Sequence, residues 1–275
     1  MIASQDLIRL ALGASQSQAA GLDAADQALM IAAVQMDAIE RLTSGQRGQV
    51  LSRALMSPYP VGFFRVLRAC AGLKRLLPEL DALFGIPMQA DGFGLQDAGE
   101  HQLRLLAEVA RCGAPLAVRL AALLHKIGMG GTPQLLWPFH VDHEARGLAL
   151  LTGLAQRIAL PPEALDLAAL VIREADYVHR ANDLRAGRLA QLLDRVQAQE
   201  RPARFEQLLT VCTCDFAAYP GHNAAEYSKA PRLRRALAAY LGVTCVGRDA
   251  MQWLDARVLA IERELCGRTR AAGSS

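Results

Sequence analysis

Five histidines, His101, His125, His140, His143 and His179, fall within 79 residues of one another, and Asp215 follows them. Imidazole nitrogens and carboxylate oxygens are the ligands of a divalent metal that turns water into a nucleophile against a phosphate ester. A single histidine on a helix carries no such message, since most are ordinary polar residues. Five in one region, separated by glycine and proline turns, carry more. The stretch AALLHKIGMGGTPQLLWPFHVDHEARG, 121–147, concentrates the pattern: an apolar helix, His125, a glycine-rich turn, then His140 and His143 three apart. Directly beside His125 stands a cation, Lys126.

The elements that must position these side chains are helices. Apolar residues recur at helical spacing, and no segment alternates cleanly with period two. The spacing predicts a helix over 22–42, with Asp23 as N-cap and Leu22, Ala25, Leu29, Ala32, Ala33, Met36 and Ile39 on one side. Further helices are expected over 48–56, 61–72, 99–112, 115–127, 142–158, 161–175, 184–197, 202–217, 231–241 and 248–266. Prolines 161, 162 and 202 suit helix starts. Two long irregular connections, 84–99 and 217–229, have the composition of functional loops. The closing RTRAAGSS reads as disordered. The fold class is all-α: a multi-helical body with a helical core around the histidines.

Composition supports this. The chain has 275 residues, 52% of them hydrophobic and only 5% aromatic, with a formal net charge of +3. That is enough to bury a sizeable core, and the mild positive charge is compatible with a nucleic-acid partner without demanding one. None of the six cysteines forms a C-x-x-C pair, which argues against a zinc ribbon. Cys212 and Cys214 read as small buried residues, and Trp137 as packing under its loop. With no apolar run near the roughly 18 residues of a membrane span and no secretory leader, the expectation is a cytoplasmic protein that does not enter the membrane.

The segment RLAALLHKIGMGGTPQLLWPFHVDHEARG, 119–147, resembles the HD-domain segment of the bacterial CCA-adding enzymes, the tRNA nucleotidyltransferases that also carry a phosphohydrolase domain. There the family reads His-Asp-Leu-Gly-Lys, Thr-Pro, Leu-Trp-Pro and Gly-His-Glu. LSRALMSPYPVGFFRVLRACAGLKRLLPELDALFGIP (51–87) is similar to its neck and body, RPARFEQLLTVCTCDF (201–216) to the segment ending in a metal-ligand aspartate, and WLDARVLAIEREL (253–265) to its tail helix. The resemblance implies a neck and body over 1–85, an HD-like domain over 86–217 and a helical tail over 218–275. It implies His101, His125, His143 and Asp215 as the ancestral metal ligands. It also exposes departures. The aspartate after His125 is Lys126, the family's lysine is Met129, a histidine before Asp176 is Ala175, and Phe93 replaces a loop histidine. No counterpart of the family's nucleotidyltransferase head occurs, and only Arg9 remains of a nucleotide-reading motif in the neck. This chain alone is expected not to add CCA.

Charge decides how Lys126 is read. Two unit charges about 4 Å apart interact by roughly 4 kcal/mol at an effective dielectric of 20, so an ammonium beside a divalent ion opposes it by about 8 kcal/mol before the lost carboxylate is counted. No cofactor is therefore expected, a divalent metal being the alternative. The preferred reading is a non-catalytic or catalytically impaired homologue that binds tRNA or another structured RNA. Its HD pocket would hold phosphate through Lys126, His125 and His143. RNA phosphates would meet Arg232, Arg234 and Arg235 with Arg65 and Arg68, and further candidates are Lys74, Arg75, Arg180, Arg185 and Arg188. One alternative is a metal-dependent HD-type phosphohydrolase or phosphodiesterase with an altered site. Another is a scaffold or subunit that pairs with a separate chain or a second copy through apolar surface in residues 1–56.

Overall fold

A computed structural model describes residues 2–18, 22–90, 94–244 and 250–267. The expectations for Phe93 and for the final RTRAAGSS lie outside these residues. The chain divides into two compact units, residues 1–173 with 217–222, and residues 174–216 with 223–275.

The first unit begins with α1 (Ile2–Gly13), α2 (Ala24–Gln35), α3 (Ser44–Met56), α4 (Pro60–Ala69), α5 (Leu73–Leu76) and α6 (Pro78–Asp81). An antiparallel hairpin follows, β1 (Pro87–Ala90) with β2 (Gly94–Asp97), in the register Pro87 opposite Asp97. Then come α7 (Ala98–Arg111), α8 (Leu116–Leu124), α9 (His143–Arg157) and the larger part of α10 (Pro162–His179). The second unit takes the end of α10, then α11 (Ala186–Arg195), α12 (Pro202–Ala217) up to Phe216, α13 (Lys229–Leu241) and α14 (Ala250–Gly267). The all-α reading holds, the four-residue strands being the exception.

Local chemistry starts these helices where the sequence places the signals. Asp23 accepts from the Asp26 amide at 2.7 Å and opens α2. Thr43 and Gln46 form a reciprocal capping box on α3. Asp97 accepts from the Glu100 amide at 2.9 Å and opens α7. Pro60, Pro162 and Pro202 each begin a helix, where the missing amide hydrogen costs nothing. The first unit buries Phe63, Phe64, Leu51, Leu55, Leu120 and Leu124 in its core. The buried Arg119 guanidinium ties the end of α3 to α8, donating to the Leu55 carbonyl at 2.7 Å and the Ser57 carbonyl at 3.1 Å. In the second unit the Arg257 guanidinium lies between the rings of Trp253, at 3.5 Å, and Tyr240, at 3.7 Å. Burial, and then the neighbouring Asp194, pushes the Tyr240 phenol up to about 12.

Three differences from the sequence reading stand out. Residues 2–13 form a helix that the reading did not include. The connection 84–99 contains the hairpin, whose strands are too short to show a period of two. The predicted helix 22–42 ends at Gln35, with Asp37 at a φ of 57°, and its inward side is not the expected one. Ala33 and Ile39 are buried, but Ala25, Leu29, Ala32 and Met36 face solvent, while Met30 and Val34 point inward. Both sides of α2 are apolar, so periodicity alone could not choose between them.

Candidate functional site

In the first unit three backbone devices assemble a cluster. α7 carries His101 and Gln102, both fully buried. The Gln102 amide donates to the carbonyls of Ala122 at 2.9 Å and Leu123 at 3.0 Å, satisfying carbonyls at the end of α8. His125 and Lys126 follow α8 directly, and the chain then turns through a short 3-10 segment, Ile127–Gly131. At Gly128 a Cβ would stand 1.9 Å from the His143 carbonyl oxygen, so only glycine lets α9 lie this close. The Arg146 guanidinium closes the loop. Nε donates to the Gly128 carbonyl at 3.0 Å, Nη1 to the Val141 carbonyl at 2.8 Å and Nη2 to Thr132 Oγ1 at 2.8 Å. Trp137 is half-buried rather than part of the core, and its Nε1 braces the loop by donating to the Thr132 carbonyl at 3.1 Å.

Within this frame the imidazoles are oriented from the main chain. His125 Nδ1 lies 3.0 Å from the Ala122 carbonyl oxygen, and His143 Nδ1 lies 3.2 Å from that of His140. The Gln102 amide nitrogen also stands 3.3 Å from His125 Nδ1, and a Glu144 carboxylate oxygen 3.4 Å from His143 Nδ1, so each Nδ1 meets a side chain as well as a carbonyl. His140 behaves differently. Its Nε2 donates to the Pro87 carbonyl at 2.8 Å, fastening the loop to β1, and its Nδ1 is buried without a hydrogen-bond partner. Burial lowers its pKa, with further lowering from His143 and Arg146.

Lys126 is only 7% exposed. Its Nζ lies 3.5 Å from Tyr219 Oη and 5.7 Å from the centre of that ring. The His101 ring packs on Tyr219 with centroids 4.3 Å apart. His101 and Lys126 thus meet at Tyr219, a residue that the sequence reading did not single out and that no local signal marks.

The second unit holds a different group. Asp215 is 2% exposed, and its Oδ2 lies 3.1 Å from Nε2 of His179, the last residue of α10. Tyr227 Oη lies 3.0 Å from His179 Nδ1. Burial raises the Tyr227 phenol far above its ordinary value, with Cys212 and Asp215 adding to the effect, so it stays a donor. Tyrosine donates to His179 Nδ1, whereas His179 Nε2 faces the Asp215 carboxylate at 3.1 Å without completing a hydrogen bond. Asp215 belongs to this unit, and His101, His125 and His143 belong to the first. Cys212 and Cys214 are buried on α12, as expected.

The expected phosphate contacts are engaged inside the chain in four of five cases. Arg232 donates to the carbonyls of Ala181 at 3.0 Å and Leu184 at 3.3 Å. Arg234 pairs with Glu206 at 2.7 Å, Arg65 with Glu100 at 3.4 Å, and Arg68 stacks over Phe84 at 4.0 Å. Arg235 is half-buried, its Nε without a hydrogen-bond partner. Arg180, Arg185 and Arg188 around the start of α11 are exposed. Among the described residues no helix is long and apolar enough to cross a membrane.

No family model matches the chain. It is 42% identical over 210 residues to the multifunctional CCA protein of Leptothrix cholodnii, covering 76% of this chain and 50% of the relative. To that of Alkalilimnicola ehrlichii it is 42% identical over 243 residues, 86% of this chain and 58% of the relative. To that of Cupriavidus necator it is 36% identical over 271 residues, 95% of this chain and 66% of the relative. With Lys126 and Tyr219 set among the histidines that its sequence singles out, the chain is homologous to the bacterial multifunctional CCA proteins and spans half to two thirds of the length of those it matches.

Proposed function

We propose that this chain is a non-catalytic or catalytically impaired member of the CCA-adding lineage that binds tRNA or another structured RNA in the cytoplasm. Its HD-like pocket, in this reading, holds phosphate rather than a hydrolytic metal. The division into neck and body (1–85), HD-like domain (86–217) and tail (218–275) follows the resembled family. One observation carries the reading: a buried ammonium, Lys126, follows His125 directly and reaches Tyr219 Oη. A lysine ammonium binds phosphate as a point charge but cannot acidify a water molecule as a divalent metal does. An ammonium beside His125 opposes a hydrolytic metal, and the reading takes His101, His125, His143 and Asp215 as vestiges of its ligands. His125 and His143 would donate to the phosphate when protonated. Exposed Arg185 and Arg188 supply RNA phosphate contacts alongside Arg235.

The deciding experiment is a metal analysis of the purified protein beside calorimetric titrations with inorganic phosphate and with tRNA. Phosphate and tRNA uptake without bound metal supports the reading. Stoichiometric metal with turnover of a phosphomonoester or cyclic phosphodiester replaces it with the phosphohydrolase alternative. That alternative is favoured by a specific observation, the carbonyl-anchored Nδ1 atoms of His125 and His143.

A further inference from the structure

Near the end of α10, within the second unit, an aromatic ring stands in the open. Tyr177 is 44% exposed. Its hydroxyl makes no hydrogen bond among the described residues. The ring is framed instead by cations. The Arg195 guanidinium lies 4.7 Å from its centre and the Arg180 guanidinium 5.3 Å from it. Both are fixed from behind. Arg195 is held by Glu174, a carboxylate only 2% exposed, with Nε 3.2 Å and Nη2 3.0 Å from Glu174 Oε2. Arg180 Nε donates to the Asp176 carbonyl at 3.2 Å. Both arginines still reach solvent. The attraction of an exposed cation for a ring is weak, so this frame does little for the fold.

The positive charge continues along α11. Arg188 and Arg195 stand two helical turns apart on one face, and Gln191 between them accepts from Arg188 Nη1 at 3.1 Å. Arg185, at the start of the same helix, is exposed. The stripe therefore leads from exposed arginines at one end to a ring clasped by guanidinium groups at the other. A phosphate ligand alone would call for the arginines but not for the ring. A nucleobase calls for the ring, since every base has a flat π-face that stacks on tyrosine and on guanidinium planes.

We propose that Tyr177 is a stacking platform for an unpaired nucleobase of RNA, with Arg195 and Arg180 edging the base and Arg188 and Arg185 meeting the flanking phosphates. The bases of a duplex hide their faces in their own stack, so the site takes single-stranded or looped RNA and passes over paired stretches. The inference rests on the RNA-binding reading and adds which part of the RNA is held, and where.

Fluorescence anisotropy of the full chain tests it, with a labelled oligouridylate of about eight nucleotides beside a blunt RNA duplex and tRNA. Tyr177→Leu should weaken the oligouridylate roughly tenfold and leave the salt slope unchanged, because the ring carries no charge. Tyr177→Phe should keep the wild-type affinity, since stacking does not use the hydroxyl. Neither variant should alter duplex binding. Irradiating the wild-type chain with an oligouridylate that carries 4-thiouridine should crosslink the peptide containing Tyr177, and this result decides the matter if the leucine variant melts early. A folded Tyr177→Leu chain that binds the oligouridylate like the wild type overturns the inference and leaves RNA binding standing. So does a loss shared equally by the duplex, or a crosslink that maps elsewhere. A wild-type chain that binds none of the three RNAs overturns it together with the reading on which it rests.

Discussion

The first unit and the second each contain a histidine group, and they are anchored in opposite ways. In the first, Nδ1 of His125 and Nδ1 of His143 each lie against a carbonyl three residues earlier in the chain. In the second, His179 meets distant side chains at both ring nitrogens, Tyr227 through a hydrogen bond and Asp215 as a close charged neighbour. A carbonyl at Nδ1 fixes a ring from the neighbouring main chain, whereas side chains at both nitrogens tie it to distant parts of the sequence. The same residue type is therefore oriented by nearby backbone in one unit and by distant side chains in the other.

The contrast is sharpest in stability. Asp215→Ala leaves His179 and Tyr227 without the carboxylate that ends their chain, in a buried network whose members depend on one another. Urea unfolding should show a loss of about 2–4 kcal/mol. His143→Ala, at the start of α9, should cost about 1 kcal/mol. Equal losses would erase the distinction between the two groups.

The next effect concerns ligands. Lys126→Asp combined with Ala175→His restores the residues of the resembled family, and calorimetry should then detect divalent metal uptake by a folded protein. Lys126→Met should abolish phosphate uptake in a protein that still folds, since it removes the ammonium and keeps the apolar stem. A folded double variant that takes up no metal would mean that the pocket no longer has ligand geometry.

A smaller effect separates arginines that hold the fold from those offered to RNA. Arg185→Ala and Arg188→Ala should each reduce the salt slope of tRNA binding by about one unit without changing the melt. Arg232→Ala should instead destabilise by about 1–2 kcal/mol, because its guanidinium is bonded to two carbonyls. Incorporation of labelled CTP or ATP into tRNA lacking its 3′ end should be absent for this chain alone.

The smallest effect is in pH. Burial depresses His140 in the folded state below its ordinary value of 6.5. Between the two values the unfolded chain binds the extra proton, so stability rises with pH up to about 6.5 and falls as the solution is acidified through that window. His140→Gln should flatten this part of a stability–pH profile measured by urea unfolding. A slope retained in the variant would assign it to other groups.

Much of this was readable in the sequence because it is local. Asp97, Thr43 and the helix-opening prolines act within one turn, and they mark helix starts whether or not the tertiary structure is known. The histidines and Lys126 stood out for their types and spacing. What was not readable depends on distant neighbours. Tyr219 is 118 residues from His101, and nothing near it announces the contact. The tie from His179 to Tyr227 spans 48 residues. The inward side of α2 cannot be chosen because both sides are apolar, and nothing near the arginines of α13 announces that Glu206 and the carbonyls of Ala181 and Leu184 hold two of them.

Gly128 carries a consequence for the history of the site. Its missing side chain lets α9 rest against the turn, and the Arg146 fork fastens the loop from the other side. The walls are thus built from backbone contact and guanidinium bonds. A chelator should leave the melting temperature unchanged. In a scaffold of that kind the loop closes without calling on the side chain at position 126, so exchanging that residue leaves the turn and α9 in register.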